Sequence, residues 1–121
     1  MKMRNKSPLL LLPLILGSLA LAGNVIATSL NVETINHTTK TFSARECISG
    51  CANFTLGASP VFELIPQPSS GTATLSAFFV DTSSSSLPVS CSKNYNVATA
   101  SAAVVNVRSS SGTIHCAINI Q

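Results

Sequence analysis

The stretch Thr113-Ile114-His115-Cys116-Ala117-Ile118-Asn119-Ile120-Gln121 decides the fold class. Ile114, Cys116, Ile118 and Ile120 fall at every second position, with Thr113, His115, Ala117 and Asn119 between them. A period of two belongs to an extended strand, whose successive side chains point to opposite faces. One face here is apolar and the other polar, so the segment reads as a half-buried strand. Ser109-Ser110-Ser111-Gly112 just before it is a turn signal. Upstream of that turn, Tyr95 to Val107 reads as the partner strand, with Tyr95, Val97, Ala103, Val105 and Val107 on one face. The two predict a C-terminal hairpin.

The same period recurs further from this end. Ala73, Leu75, Ala77 and Phe79 alternate through Thr72 to Val80, and Val61 to Ile65 is a short apolar run. Pro66 to Gly71 separates them, because proline removes a ladder donor and glycine opens turn geometry. This predicts a second hairpin, with Phe62, Phe78 and Phe79 in the core and Phe78 and Val80 buried on the second face of their strand. Leu87 to Ser92 reads as a further short strand after the Ser-rich loop Asp81 to Ser86. Near the other end, Leu30, Val32 and Thr34 alternate with polar neighbours, and Asn36 to Lys40 is turn-like. Phe42, the loop from Cys47 to Cys51, and Asn53 to Leu56 complete the pattern. Beyond the first residues no stretch joins helix formers to a 3.6-residue apolar period. Six or seven short strands separated by turns predict an all-β domain, a small antiparallel β-sandwich or meander.

The first 22 residues read differently. Lys2, Arg4 and Lys6 form a positive start, Leu9 to Leu16 is apolar apart from Pro13, and Ala20-Leu21-Ala22 supplies the small residues of a cleavage site. Residues 1–22 are therefore expected to be a signal peptide, with an alternative cut after residue 27, and residues 23–121 a single small β domain. The apolar part is shorter than the roughly 20 residues needed to cross a bilayer, so no membrane association is expected after cleavage. The chain carries a formal net charge of +3, but Lys2, Arg4 and Lys6 account for it. What remains is Lys40, Arg45, Lys93 and Arg108 against Glu33, Glu46, Glu63 and Asp81, a scattered and balanced set. A nucleic-acid partner needs clustered Lys and Arg and is not expected.

Cys47, Cys51, Cys91 and Cys116 are the four cysteines. An even number in a small exported domain predicts two disulfides, which help a modest core by restricting the unfolded chain. Three pairings are open on sequence alone. The preferred one joins Cys47 to Cys51 across a short loop containing Gly50, and Cys91 to Cys116. Zinc would need two short cysteine spacings where only one is present, and three intervening residues do not match the redox motif with two.

Chemistry is sparse elsewhere. His37 falls in a polar turn and His115 on the polar face of a strand, with nothing to join them at ligand spacing. No Gly-x-Ser-x-Gly elbow, paired carboxylates or phosphate loop is present, and the four acids read as surface residues. No catalytic residue, cofactor or metal is expected, and the domain is expected not to be an enzyme. Asn36-His37-Thr38 and Asn53-Phe54-Thr55 match the acceptor pattern for N-glycosylation. Low charge and unpaired sheet edges point instead to protein binding or self-association. The expectation is an exported domain, secreted or periplasmic, that binds or assembles with an unknown protein partner at or outside the cell surface. The alternative is a small secreted effector or inhibitor that binds a host or competitor protein through Pro66 to Gly71 or Asp81 to Ser86.

Overall fold

A computed structural model describes residues 28–84 and 87–121. The expected signal peptide, either cut and residues 85–86 of the Ser-rich loop lie outside the described residues. The described residues form eight strands and no helix. These are β1 (Thr28–Asn36), β2 (Phe42–Cys47), β3 (Cys51–Leu56), β4 (Val61–Gln67), β5 (Thr72–Asp81), β6 (Val89–Asn96), β7 (Ala102–Ser110) and β8 (Thr113–Ile120). They make two four-stranded sheets with the orders β4-β1-β7-β8 and β3-β2-β5-β6.

The all-β sandwich is the expected one, with three differences in detail. The run from Tyr95 to Val107 is two strands, because the backbone turns at Asn96. There the Asn96 Oδ1 accepts from Ala98 N–H at 2.9 Å and its carbonyl accepts from Thr99 N–H at 3.2 Å. Tyr95 and Val97 still share the core with Ala103, Val105 and Val107, since the exposed turn passes from one sheet to the other and both flanking segments point these side chains inward. The segments Val61–Gln67 and Thr72–Asp81 do not pair as a hairpin. β4 pairs with β1 and β5 with β2 and β6, so the Pro- and Gly-containing connection is a corner between sheets. Gly71 takes φ +85° there, and its carbonyl accepts from Val97 N–H at 2.9 Å. Finally, β1 and β7 run parallel, the one such pair among the described strands.

The core follows the period of two. Leu30 and Val32 of β1 and Val105 and Val107 of β7 meet Phe42 and Ala44 of β2 and Leu75, Ala77 and Phe79 of β5 between the sheets. Burial of each large apolar side chain is worth roughly 1.5–3 kcal/mol. Phe42 and Phe79 meet edge to face, with ring centroids 6.2 Å apart, an arrangement favoured by the ring quadrupoles. Phe62 and Phe78 are not core residues, contrary to the sequence pattern. They occupy the outward phase of β4 and β5, 64% and 43% exposed, and Val80 is 40% exposed. A short apolar run fixes no phase by itself, and in β4 the inward positions went to Val61, Glu63 and Ile65.

The β7–β8 connection is a two-residue turn, since Ser110 pairs with Thr113. Ser111 and Gly112 have φ +51° and +78°, the pair of positive values that fits the right-handed twist of a hairpin. Asn36 organises the β1–β2 turn. Its Oδ1 accepts from Thr38 N–H and O–H, and its Nδ2 donates to the Lys40 and Gly57 carbonyls.

Candidate functional site

Both disulfides have the preferred pairing. Cys47 and Cys51 are directly opposed in the β2–β3 hairpin, with a Cα separation of 4.1 Å. The Arg45 guanidinium covers this bridge, donating from Nε to Cys47 Sγ and from Nη2 to Cys51 Sγ, both at 3.4 Å. The loop the bridge closes packs on β4, where Ser49 N–H donates to the Pro66 carbonyl at 3.0 Å. Cys91 and Cys116 join β6 to β8, each the edge strand of a different sheet. All four sulfurs are thereby committed. Two disulfides within one chain are compatible with an extracellular or periplasmic location.

The seam between β6 and β8 carries a cleft on each side of its disulfide. One, about 380 Å³, opens at the end of the sandwich where the β1–β2 turn, the end of β5 and the β7–β8 hairpin converge. Phe42 and Phe79 form its floor, and Leu87, Val89 and Ile114 form its apolar wall. At the rim Lys40 Nζ lies 3.3 Å from Asp81 Oδ2. The Ser83 backbone N–H and then its hydroxyl, at 3.0 and 2.8 Å, hold the Asp81 carboxyl below the usual carboxylate range, with Lys40 adding to the effect. Beyond the disulfide, Lys93, Ile118, Asn119 and Ile120 line a second depression of about 470 Å³. Chemically the first cleft offers an apolar slot with one ion pair at its mouth, which suits an inserted side chain of similar character.

Glu46 is the largest departure from the surface role expected of the acids. It follows Phe42 and Ala44 on the inward face of β2 and is 0% exposed. Thr34 of the opposite sheet donates its hydroxyl to Glu46 Oε2 at 2.5 Å, while Oε1 has no hydrogen-bond partner among the described residues. Burial disfavours the anion and pushes the carboxyl from 4.5 up to about 7. The Thr34 bond opposes this, and Glu63 on β4 adds a further upward push. At the other end of the interior, Tyr95 of β6 donates its hydroxyl to Gln67 Oε1 of β4 at 2.6 Å, and burial raises its phenol above the ordinary range.

The histidines are closer together than their sequence positions imply. Arg108 pairs with His115 across β7 and β8. Asn36 pairs with Val107, and His37 N–H donates to the Val107 carbonyl at 2.8 Å, which carries the parallel register one residue further. Arg108 and His115 therefore stand abreast on β7 and β8, with His37 beside Arg108 at the first position after β1, all three exposed. His37 Nε2 also lies 2.7 Å from Asn106 Oδ1. This row depends on a pairing between residues 70 positions apart, for which the sequence carries no local signal. The inward phase of Glu46 was readable from Phe42 and Ala44.

Of the two glycosylation patterns, the Asn36 side chain is buried and fully bonded in its turn, whereas Asn53 is exposed on the outer face of β3. No known protein family, curated protein or solved structure matches the chain.

Proposed function

We propose that this is an exported, non-enzymatic domain that acts by binding or assembling with other protein chains at or outside the cell surface. The observation that carries the reading is the outer side of edge strand β4. Phe62 and Leu64 point outward there, 64% and 68% exposed, and β4 pairs with β1 alone within its sheet. Natural edges are usually blunted by charge, bulges or proline. Here Pro66 and the Ser49 bond guard only the end of the strand. The rest presents large apolar side chains, and exposed patches of that kind commonly mark interaction sites. The balanced, sparse charge leaves little electrostatic repulsion against close approach of another chain.

The test is light scattering coupled to size exclusion on the oxidised protein over a range of concentrations, with Phe62→Ser/Leu64→Ser alongside. Self-association that the double variant removes, without loss of stability, supports assembly. A wild type that stays monomeric and captures no extracellular protein that the variant fails to capture overturns the reading.

A second reading, a small effector or inhibitor, is favoured by the cleft over Phe42 and Phe79. In that case Leu87→Ser and Lys40→Ala weaken capture of the partner while the β4 variant does not.

A further inference from the structure

We propose that the row His37–Arg108–His115 is an oxyanion-binding site that takes a sulfate or phosphate group. It lies on the outer face of the β4-β1-β7-β8 sheet and does not depend on the β4 surface. Adjacent strands are about 4.8 Å apart, so the three backbone positions are neighbours at about that spacing, with the His37 ring drawn toward Asn106 of β7. Arg108 makes no ion pair among the described residues, where Lys40 and Asp81 form the salt bridge. The acids that could neutralise the row are occupied or distant. Asp81 is held by Lys40 and Ser83, and Glu46 and Glu63 face the interior. Glu33 shares the outer face of β1 but sits four residues from His37, roughly 13 Å along a strand and beyond the screening distance of about 8 Å at physiological salt.

The Arg108 guanidinium has no anionic partner among the described residues, and an oxyanion would supply one. A planar guanidinium presents a fork of donors that matches two oxygens of a tetrahedral oxyanion. The bond between His37 Nε2 and Asn106 Oδ1 turns that ring so that Nδ1 remains for the ligand. A metal cation is disfavoured, because the guanidinium stands between the two imidazoles. The charged groups nearest the row are Glu33, which shares the outer face of β1, and Lys93 of β6, which lines a depression together with Asn106. On β8 the outward neighbours Thr113, Ala117 and Asn119 are uncharged.

Sulfate is the probe. NMR titration of the oxidised protein should give saturable shifts centred on His37, Asn106, Arg108 and His115. They should weaken with added sodium chloride. Arg108→Gln removes the binding, and Arg45→Gln, at an exposed arginine on β2 of the other sheet, leaves it intact. Glycerol phosphate and vesicles bearing phosphatidic acid, compared at one pH, tell a soluble source from a membrane-borne one, and saturable engagement of the row by either supports the site. Linear, unsaturable shifts, or unchanged binding by Arg108→Gln, overturns it.

Discussion

Replacing Glu46 with glutamine should remove the fall in stability that this carboxyl imposes as pH rises. The carboxyl is held at about 7 in the folded protein against an ordinary 4.5. Between these values the folded protein keeps the proton and the unfolded chain releases it. Stability therefore falls as pH rises through that window and levels off above it. At about 1.4 kcal/mol per pH unit the loss is about 3 kcal/mol. Glutamine has nearly the same shape and stays neutral. Its carbonyl can accept the Thr34 hydroxyl, and its amide takes the place of Oε1, which has no partner among the described residues. Leaving that amide unbonded costs about 1 kcal/mol. Glu46→Gln should thus be less stable than wild type by about 1 kcal/mol near pH 4, more stable by about 2 kcal/mol near pH 8, and almost flat between. Urea unfolding followed by far-ultraviolet circular dichroism, with the disulfides intact, measures both curves. Parallel curves for the two proteins from pH 5 to pH 8 would refute a buried carboxyl that titrates there.

Other perturbations have distinct signatures. Changing Cys91 and Cys116 to serine should lower stability by about 3.5 kcal/mol and changing Cys47 and Cys51 by about 2 kcal/mol, because the longer loop restrains more of the unfolded chain; urea midpoints give the order. Ser111→Asn should stabilise by about 0.5–1 kcal/mol, since asparagine tolerates the positive φ of the β7–β8 turn better than serine; thermal melting detects it. Asp81→Asn should flatten the acid limb of the stability curve. The wild-type carboxyl lies below its usual range, so its contribution is present above that range and is lost as pH falls through the lowered value.

Much of the fold was legible because strand phase is local information. Ile114, Cys116, Ile118 and Ile120 announce β8, and Ala73, Leu75, Ala77 and Phe79 announce the inward face of β5. The preferred cysteine pairing came from loop length and from the need to secure the last strand. Strand partners are a different kind of information. Val61–Gln67 and Thr72–Asp81 are neighbours in sequence, yet each finds its hydrogen bonds in a different sheet. The parallel β1–β7 pair and the basic row built on it come from that same long-range pairing. Phe62 misled because an aromatic residue in a short apolar run can face either way, and Glu63 on the inward side reversed the expected phase. Glu46 was overlooked because an acid reads as solvated unless its strand phase is followed to the end.

The bridge between β6 and β8 also governs how the chain responds to tension. Its two cysteines are 25 positions apart and 5.8 Å apart between Cα atoms. The chain between them would span about 85 Å when drawn out, at roughly 3.4 Å per residue. A stretched oxidised molecule thus withholds about 80 Å of contour, and the withheld loop contains the whole of β7. Because β1 lies parallel to β7, pulling on β1 shears its ladder against a strand that cannot be unspooled. The Cys47–Cys51 bridge withholds about 10 Å more, so single-molecule extension should be shorter by about 90 Å under oxidising conditions than under reducing ones, and thiol chemistry sets how far the domain can lengthen under load.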